Sequence, residues 1–209
     1  SFVASGFAGA SSGKISAVLI VRAGLVAEIV GVVAAGLVVG WDAGTQSAWL
    51  WLLPALFVYG FGVGLATAQL TGVLLQDVPV ELSGQGSGTQ STARQVGSAL
   101  GIAILGTVLF TGTAGILSSS LDDRGLPAQE RDQIVSAVVD SSGGAIAVLA
   151  ANPATAPIAA DAKAAFSDAT RLSAFTAGGF LVVGLLATIP LGRERRRDET
   201  DAAQPSVQS

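Results

Sequence analysis

Glu28 is the one acid inside an otherwise apolar run, GLVAEIVGVVAAGLVVG over residues 24 to 40. It stands six residues past Arg22, which is roughly 9 Å along a helix. If the run crosses a bilayer, that depth lies inside a hydrocarbon core about 30 Å thick. A carboxylate there is costly unless it is paired, hydrated or protonated part of the time. Two chemistries follow: a proton carrier that couples protonation to movement, or an interfacial acid ion-paired to Lys14 or Arg94. Gln69 and Thr71 are the polar groups farthest from any charge in a second run. They read as lining a substrate pathway or as hydrogen-bonding between helices. Arg94, beside Gln95, opens a third run and has a plainer reading as a topology anchor.

The chain contains no cysteine and no histidine. That removes disulfides, thiol nucleophiles, zinc fingers and every Ser-His or Cys-His pair. An enzyme is therefore not expected, and no cofactor or metal site is expected either. The sequence GFGVG at 60 to 64 is no dinucleotide loop, because no strand precedes it and no suitable acid follows. With a net charge of −4, the chain offers no general attraction for nucleic acid.

The elements that must position these residues are membrane helices. Only 12% of the 209 residues are charged and 50% are hydrophobic, against about 25% charged in a soluble domain. No charge occurs between Asp42 and Asp77, or between Arg94 and Asp122; both intervals exceed the roughly 20 residues of a spanning helix. The pattern predicts an all-α membrane protein with one partial span over residues 1–13 and complete spans over 24–40, 51–75, 93–113 and 172–192. A polar turn is expected over 76–92. Trp41, Trp49 and Trp51 surround Asp42 and Gln46, as aromatic rings do at headgroup level. Glycines at 97 and 101 suit close helix packing in lipid, where small residues let backbones approach. The chain opens mid-pattern and without methionine, so it is expected to be the C-terminal portion of a larger protein.

Residues 114–168 are expected to form a loop outside the bilayer, carrying two short amphipathic helices. One starts near Pro127 with Ile134, Val135 and Val138 on its apolar stripe; the other runs from Asp161 toward Phe166. The uncharged interval 141–160 is not expected to cross, since Gly143, Gly144, Asn152, Pro153 and Pro157 interrupt it. Lys14, Arg22, Arg94 and the cluster Arg193, Arg195, Arg196, Arg197 fall on one side of the proposed spans. Short basic loops stay cytoplasmic, so the tail 193–209 is expected in the cytoplasm of a plasma-membrane protein. The loop, with seven acids and three bases, would face outward.

The run LTGVLLQDVPVELSGQGSGTQSTARQVGSALGIAILGTVLF resembles the C-terminal half of major facilitator transporters, closest to the fourteen-helix drug:proton antiporters. Gly84, Ser87, Gly88, Thr92, Arg94, Gln95, Gly97 and Gly101 stand where that family carries the same residue types. The resemblance implies that Arg94, Gln95, Gly84 and Gly88 belong to a motif at the cytoplasmic face. It implies export of hydrophobic small molecules in exchange for protons, by alternating access of two halves. The partners would be the bilayer, substrate, protons and the N-terminal half of the same chain. One departure is visible: the family's loop motif falls on Gly13, Ser16, Ala17 and Arg22, and its acidic and first basic positions are lost. An uptake symporter of the same superfamily and a non-transporting membrane subunit are the alternatives.

Overall fold

A computed structural model describes residues 16–41, 48–75 and 78–189, with only the backbone for Gly40, Trp41, Ala48, Trp49, Thr71, Leu74 and Leu75. The expected partial span over 1–13, Gly13, Lys14, Asp42, Gln46 and the basic tail lie outside these residues. Every described element is helical: α1 (Ala17–Trp41), α2 (Ala48–Leu75), a 3-10 turn (Val80–Leu82), α3 (Ser83–Asp123), α4 (Ala128–Asp140), α5 (Gly144–Ala151) and α6 (Ala156–Ala187). Four of them, α1, α2, α3 and α6, are long and apolar enough to cross a membrane. Large apolar side chains such as Phe57, Leu100, Ile102, Phe180 and Val183 are exposed along them. Such surfaces require lipid as solvent. The chain is an all-α, multi-pass membrane protein.

The helices outrun the apolar stretches that define them. α3 is 41 residues long, about 61 Å, and α6 is 32 residues long, about 48 Å. The segment 76–92, read as a turn, is helical from Ser83 onward. Glycine and serine lower intrinsic helicity there, yet extending an existing helix adds one hydrogen bond per residue fixed. Thr89 returns its hydroxyl to the Gln85 carbonyl at 3.0 Å, keeping a weak helix former inside the helix. Because α2 starts at Ala48, Pro54 is inside the helix, and the Leu50 carbonyl loses its helical partner.

The described residues divide into two compact units: 16–31, 57–75, 78–91 and 178–189 in one, and 32–41, 48–56 and 92–177 in the other. In the first unit α1 lies on α2. Val18 and Val21 pack with Val73, and Ile20 packs with Leu65 and Phe61.

The second unit contains a compact polar-surfaced cap where a loop was expected. Leu117 and Leu121, one turn apart on α3, are fully buried with Val138 of α4 and with Ala162 and Ala165 of α6. Ile134, Val135, Ile146, Leu149 and Ile158 close over them. Gly125 ends α3 in the left-handed conformation, φ +76°. Its N–H bonds the Asp122 carbonyl and that of Leu126 bonds the Leu121 carbonyl, while Leu126 covers the core. This is the pairing by which a glycine after a helix satisfies the last carbonyls. Arg124 forms a two-pronged ion pair with Asp161 across the cap, and this hydrogen bond raises the guanidinium pKa above its ordinary value. The uncharged interval 141–160 holds α5, eight residues or about 12 Å long, a turn, and the first residues of α6.

Candidate functional site

Within the first unit, α1 and α2 run antiparallel along a seam of small residues. Gly24, Glu28 and Gly31 share one face of α1, at spacings of four and three; Tyr59, Gly62 and Ala66 do the same on α2. A Cβ added at Gly24 would meet the Ala66 nitrogen at 2.7 Å and the Gly62 carbonyl at 2.9 Å. One at Gly31 would meet the Tyr59 nitrogen and Cα at 2.5 and 2.6 Å. One at Gly62 would meet the Glu28 nitrogen and the Gly24 carbonyl, both at 2.6 Å, and Glu28 Cγ at 2.9 Å. The two backbones are therefore in direct contact. Only glycine permits that approach.

Glu28 is seated in this seam and is 8% exposed. It has no hydrogen-bond or ion-pair partner among the described residues. Arg94 is exposed and joins no ion pair among them. Lys14, the other expected partner, lies outside the described residues. Among the described residues, Glu28 is thus a buried acid held against a neighbouring backbone and not against a cation.

Arg22, six residues earlier on α1, has a different task. Its Nη2 donates to the Thr188 carbonyl at 2.7 Å and the Ile189 carbonyl at 3.3 Å, and its Nε donates to the Thr188 hydroxyl at 3.3 Å. The last turn of a helix leaves carbonyls without helical partners and carries partial negative charge. A guanidinium fork from another helix satisfies both needs and ties α1 to the residues that end α6.

The remaining candidates are dispersed. Gln69 is half-buried on α2 and engaged in an interaction, while the Thr71 side chain lies outside the described set. Gly84 and Gly88 lie in the first turns of α3, with open space where a Cβ would be. Gln95 is exposed but not free of contacts. Gly97 and Gly101 meet nothing within 4 Å, so the close helix contact expected at them has no partner among the described residues. Within the first unit, close contacts are seen at Gly24, Gly31 and Gly62. Their spacing was visible: a glycine pair seven apart on α1 facing a small-residue pair four apart on α2. The sequence does not say which glycines face protein.

The chain is similar to several curated proteins. The chain is 34% identical over 100 residues to a Streptomyces coelicolor protein named probable actinorhodin transporter, covering 48% of this chain and 17% of that relative. It is 32% identical over 91 residues to the multidrug resistance protein Stp of Mycobacterium tuberculosis, 44% of this chain and 17% of the relative. It is 29% identical over 86 residues to the tetracenomycin C resistance and export protein of Streptomyces glaucescens, 41% and 15% respectively. Over just under half its length the chain is homologous to drug exporters of the major facilitator superfamily. The matched region spans about a sixth of these curated relatives. No protein-family model matches the chain, and no solved structure matches it.

Proposed function

We propose that this chain is part of a longer efflux transporter that exchanges hydrophobic small molecules for protons by alternating access of two helical halves. The reading is supported by the exporters it resembles and carried by Glu28, a nine-tenths-buried acid with no cation partner among the described residues. A carboxyl within a span can exchange a proton where water or a cation reaches it in one arrangement of the helices and not in the other. Movement of α1 relative to its neighbours supplies that alternation, and Glu28 carries the proton. Gln69 and Thr71 contribute polar groups to the substrate pathway. Arg94, Gln95, Gly84 and Gly88 form the cytoplasmic-face motif. Gly97 and Gly101 admit helices of the same transporter outside the described residues.

Glu28→Gln keeps shape and hydrogen-bonding capacity but removes titration. It should abolish pH-driven drug transport in proteoliposomes, normalised to inserted protein, while leaving substrate binding and passive exchange intact. Wild-type coupling in this variant would sink the proton-carrier reading and leave Glu28 a structural group.

In the plasma membrane the cap faces outward and the C-terminal tail faces the cytoplasm, as the basic residues require. Ser142, in the left-handed turn after α4 and exposed, is a suitable reporter. A cysteine at Ser142 should react with an impermeant maleimide added to intact cells, and one at Gln204 should not. The reverse pattern would invert the topology.

A further inference from the structure

We infer that Gly62 is a positioning residue for Glu28: by lacking a side chain it holds the α2 backbone against the Glu28 stem and keeps water from that side of the acid. The inference rests on the reading of Glu28 as the proton carrier. Two observations carry it. The position of a Gly62 Cβ lies 2.9 Å from Glu28 Cγ and 2.6 Å from the Glu28 nitrogen, so any side chain at 62 displaces the residue that carries the carboxyl. Glu28 itself is 8% exposed and unpartnered among the described residues, so nothing else described there holds it.

The charged and titratable groups around it are few. α2 contributes no charged residue and offers Tyr59 alone as a titratable group, one turn along the seam against Gly31. The part of α6 in this unit, from Gly178 onward, contributes none among its described residues. Glu81 lies in the 3-10 turn beyond α2 and is exposed. On α1, Arg22 is committed to the end of α6. Among the described groups, the α2 backbone at Gly62 is what lies against the Glu28 stem. A methyl at 62 would push the backbones apart and admit water, which favours the anion and moves proton exchange toward lower pH.

Gly31 supplies the control. A Cβ there overlaps Tyr59 at 2.5 Å, as tightly as one at Gly62 overlaps Glu28, but its contacts lie with Tyr59 and not with the acid. The experiment measures transport against pH in proteoliposomes for the complete transporter and for Gly62→Ala, Gly31→Ala and Glu28→Gln, each normalised to inserted protein. Gly62→Ala is expected to move the midpoint toward acid by about half a pH unit, a roughly threefold change in proton affinity. Gly31→Ala should lower the amount of folded protein and leave the midpoint in place. If Glu28→Gln loses coupling but Gly62→Ala keeps the wild-type midpoint, or Gly31→Ala shifts it equally, the positioning role is overturned and the proton-carrier reading stands. If Glu28→Gln retains coupling, that reading fails and the positioning role falls with it. Should Gly62→Ala yield too little protein, the same variant produced at low temperature reads the midpoint.

Discussion

Gly31→Leu is expected to remove nearly all folded protein from the membrane. The first added carbon already lies 2.5 to 2.7 Å from the Tyr59 nitrogen, Cα and Cβ, and two of these are backbone atoms that no rotamer change can move. Three further carbons must then fit between helices in contact. Overpacking by a methylene or two costs about 1–3 kcal/mol in cores that can adjust; here the helices must separate along Gly24, Glu28 and Gly31, so the loss should exceed that range. The measurement is inserted protein per cell together with the melting temperature in detergent. Gly97→Leu is the instructive companion. Nothing described lies within 4 Å of a Cβ at Gly97, so any comparable damage there identifies packing on α3 from outside the described residues. Normal levels of the Gly31 variant would show that α1 and α2 do not meet as described.

Leu121→Ala should open the cap while sparing the membrane-spanning part. Leu121 is fully buried, packs with Leu117, Val138, Ala162 and Ala165, and lies next to the residues that end α3. Leucine truncation in a closed core costs roughly 2.7–5 kcal/mol, depending on how far the cavity collapses. A cap of this size has little reserve, since small cores hold only a few kcal/mol of net stability. Hydrogen exchange should therefore rise by at least an order of magnitude over 126–151 and stay unchanged over 100–110. Val148→Ala, at a residue 74% exposed, should change exchange little. Equal protection in the Leu121 variant would mean that the cap is held by its ion pairs, Arg124 with Asp161 and Arg131 with Asp122, rather than by its core.

The cap shows how a sequence reading can locate the parts and miss the assembly. Pro127 does precede a helix in which Val138 is buried and Ile134 and Val135 pack beside it. The second short helix, expected from Asp161 to Phe166, is not separate. It is the interior of α6, which starts at Ala156 and runs unbroken to Ala187. The reason lies in its alanines at 159, 162, 165 and 169, of which 162 and 165 join the core around Leu117 and Leu121. Alanine gives a weak hydropathy signal but the highest helix propensity, so the stretch looks like a loop by hydropathy and folds as a helix.

Composition and charge spacing alone determined that this chain is helical and lives in a membrane. Uncharged intervals longer than a bilayer is thick leave no other way to satisfy the backbone. Sequence also singled out Glu28, because one acid in an apolar run stands out without any knowledge of its neighbours. Tertiary structure decided what Glu28 touches, which glycines face a backbone, and that Arg22 is spent on the carbonyls at the end of α6. Those facts depend on the rotation of each helix about its own axis. In lipid both the protein-facing and the lipid-facing sides are apolar, so the hydrophobic pattern does not encode that rotation. It emerges only when two helices meet, as α1 and α2 do at Gly24, Gly31 and Gly62.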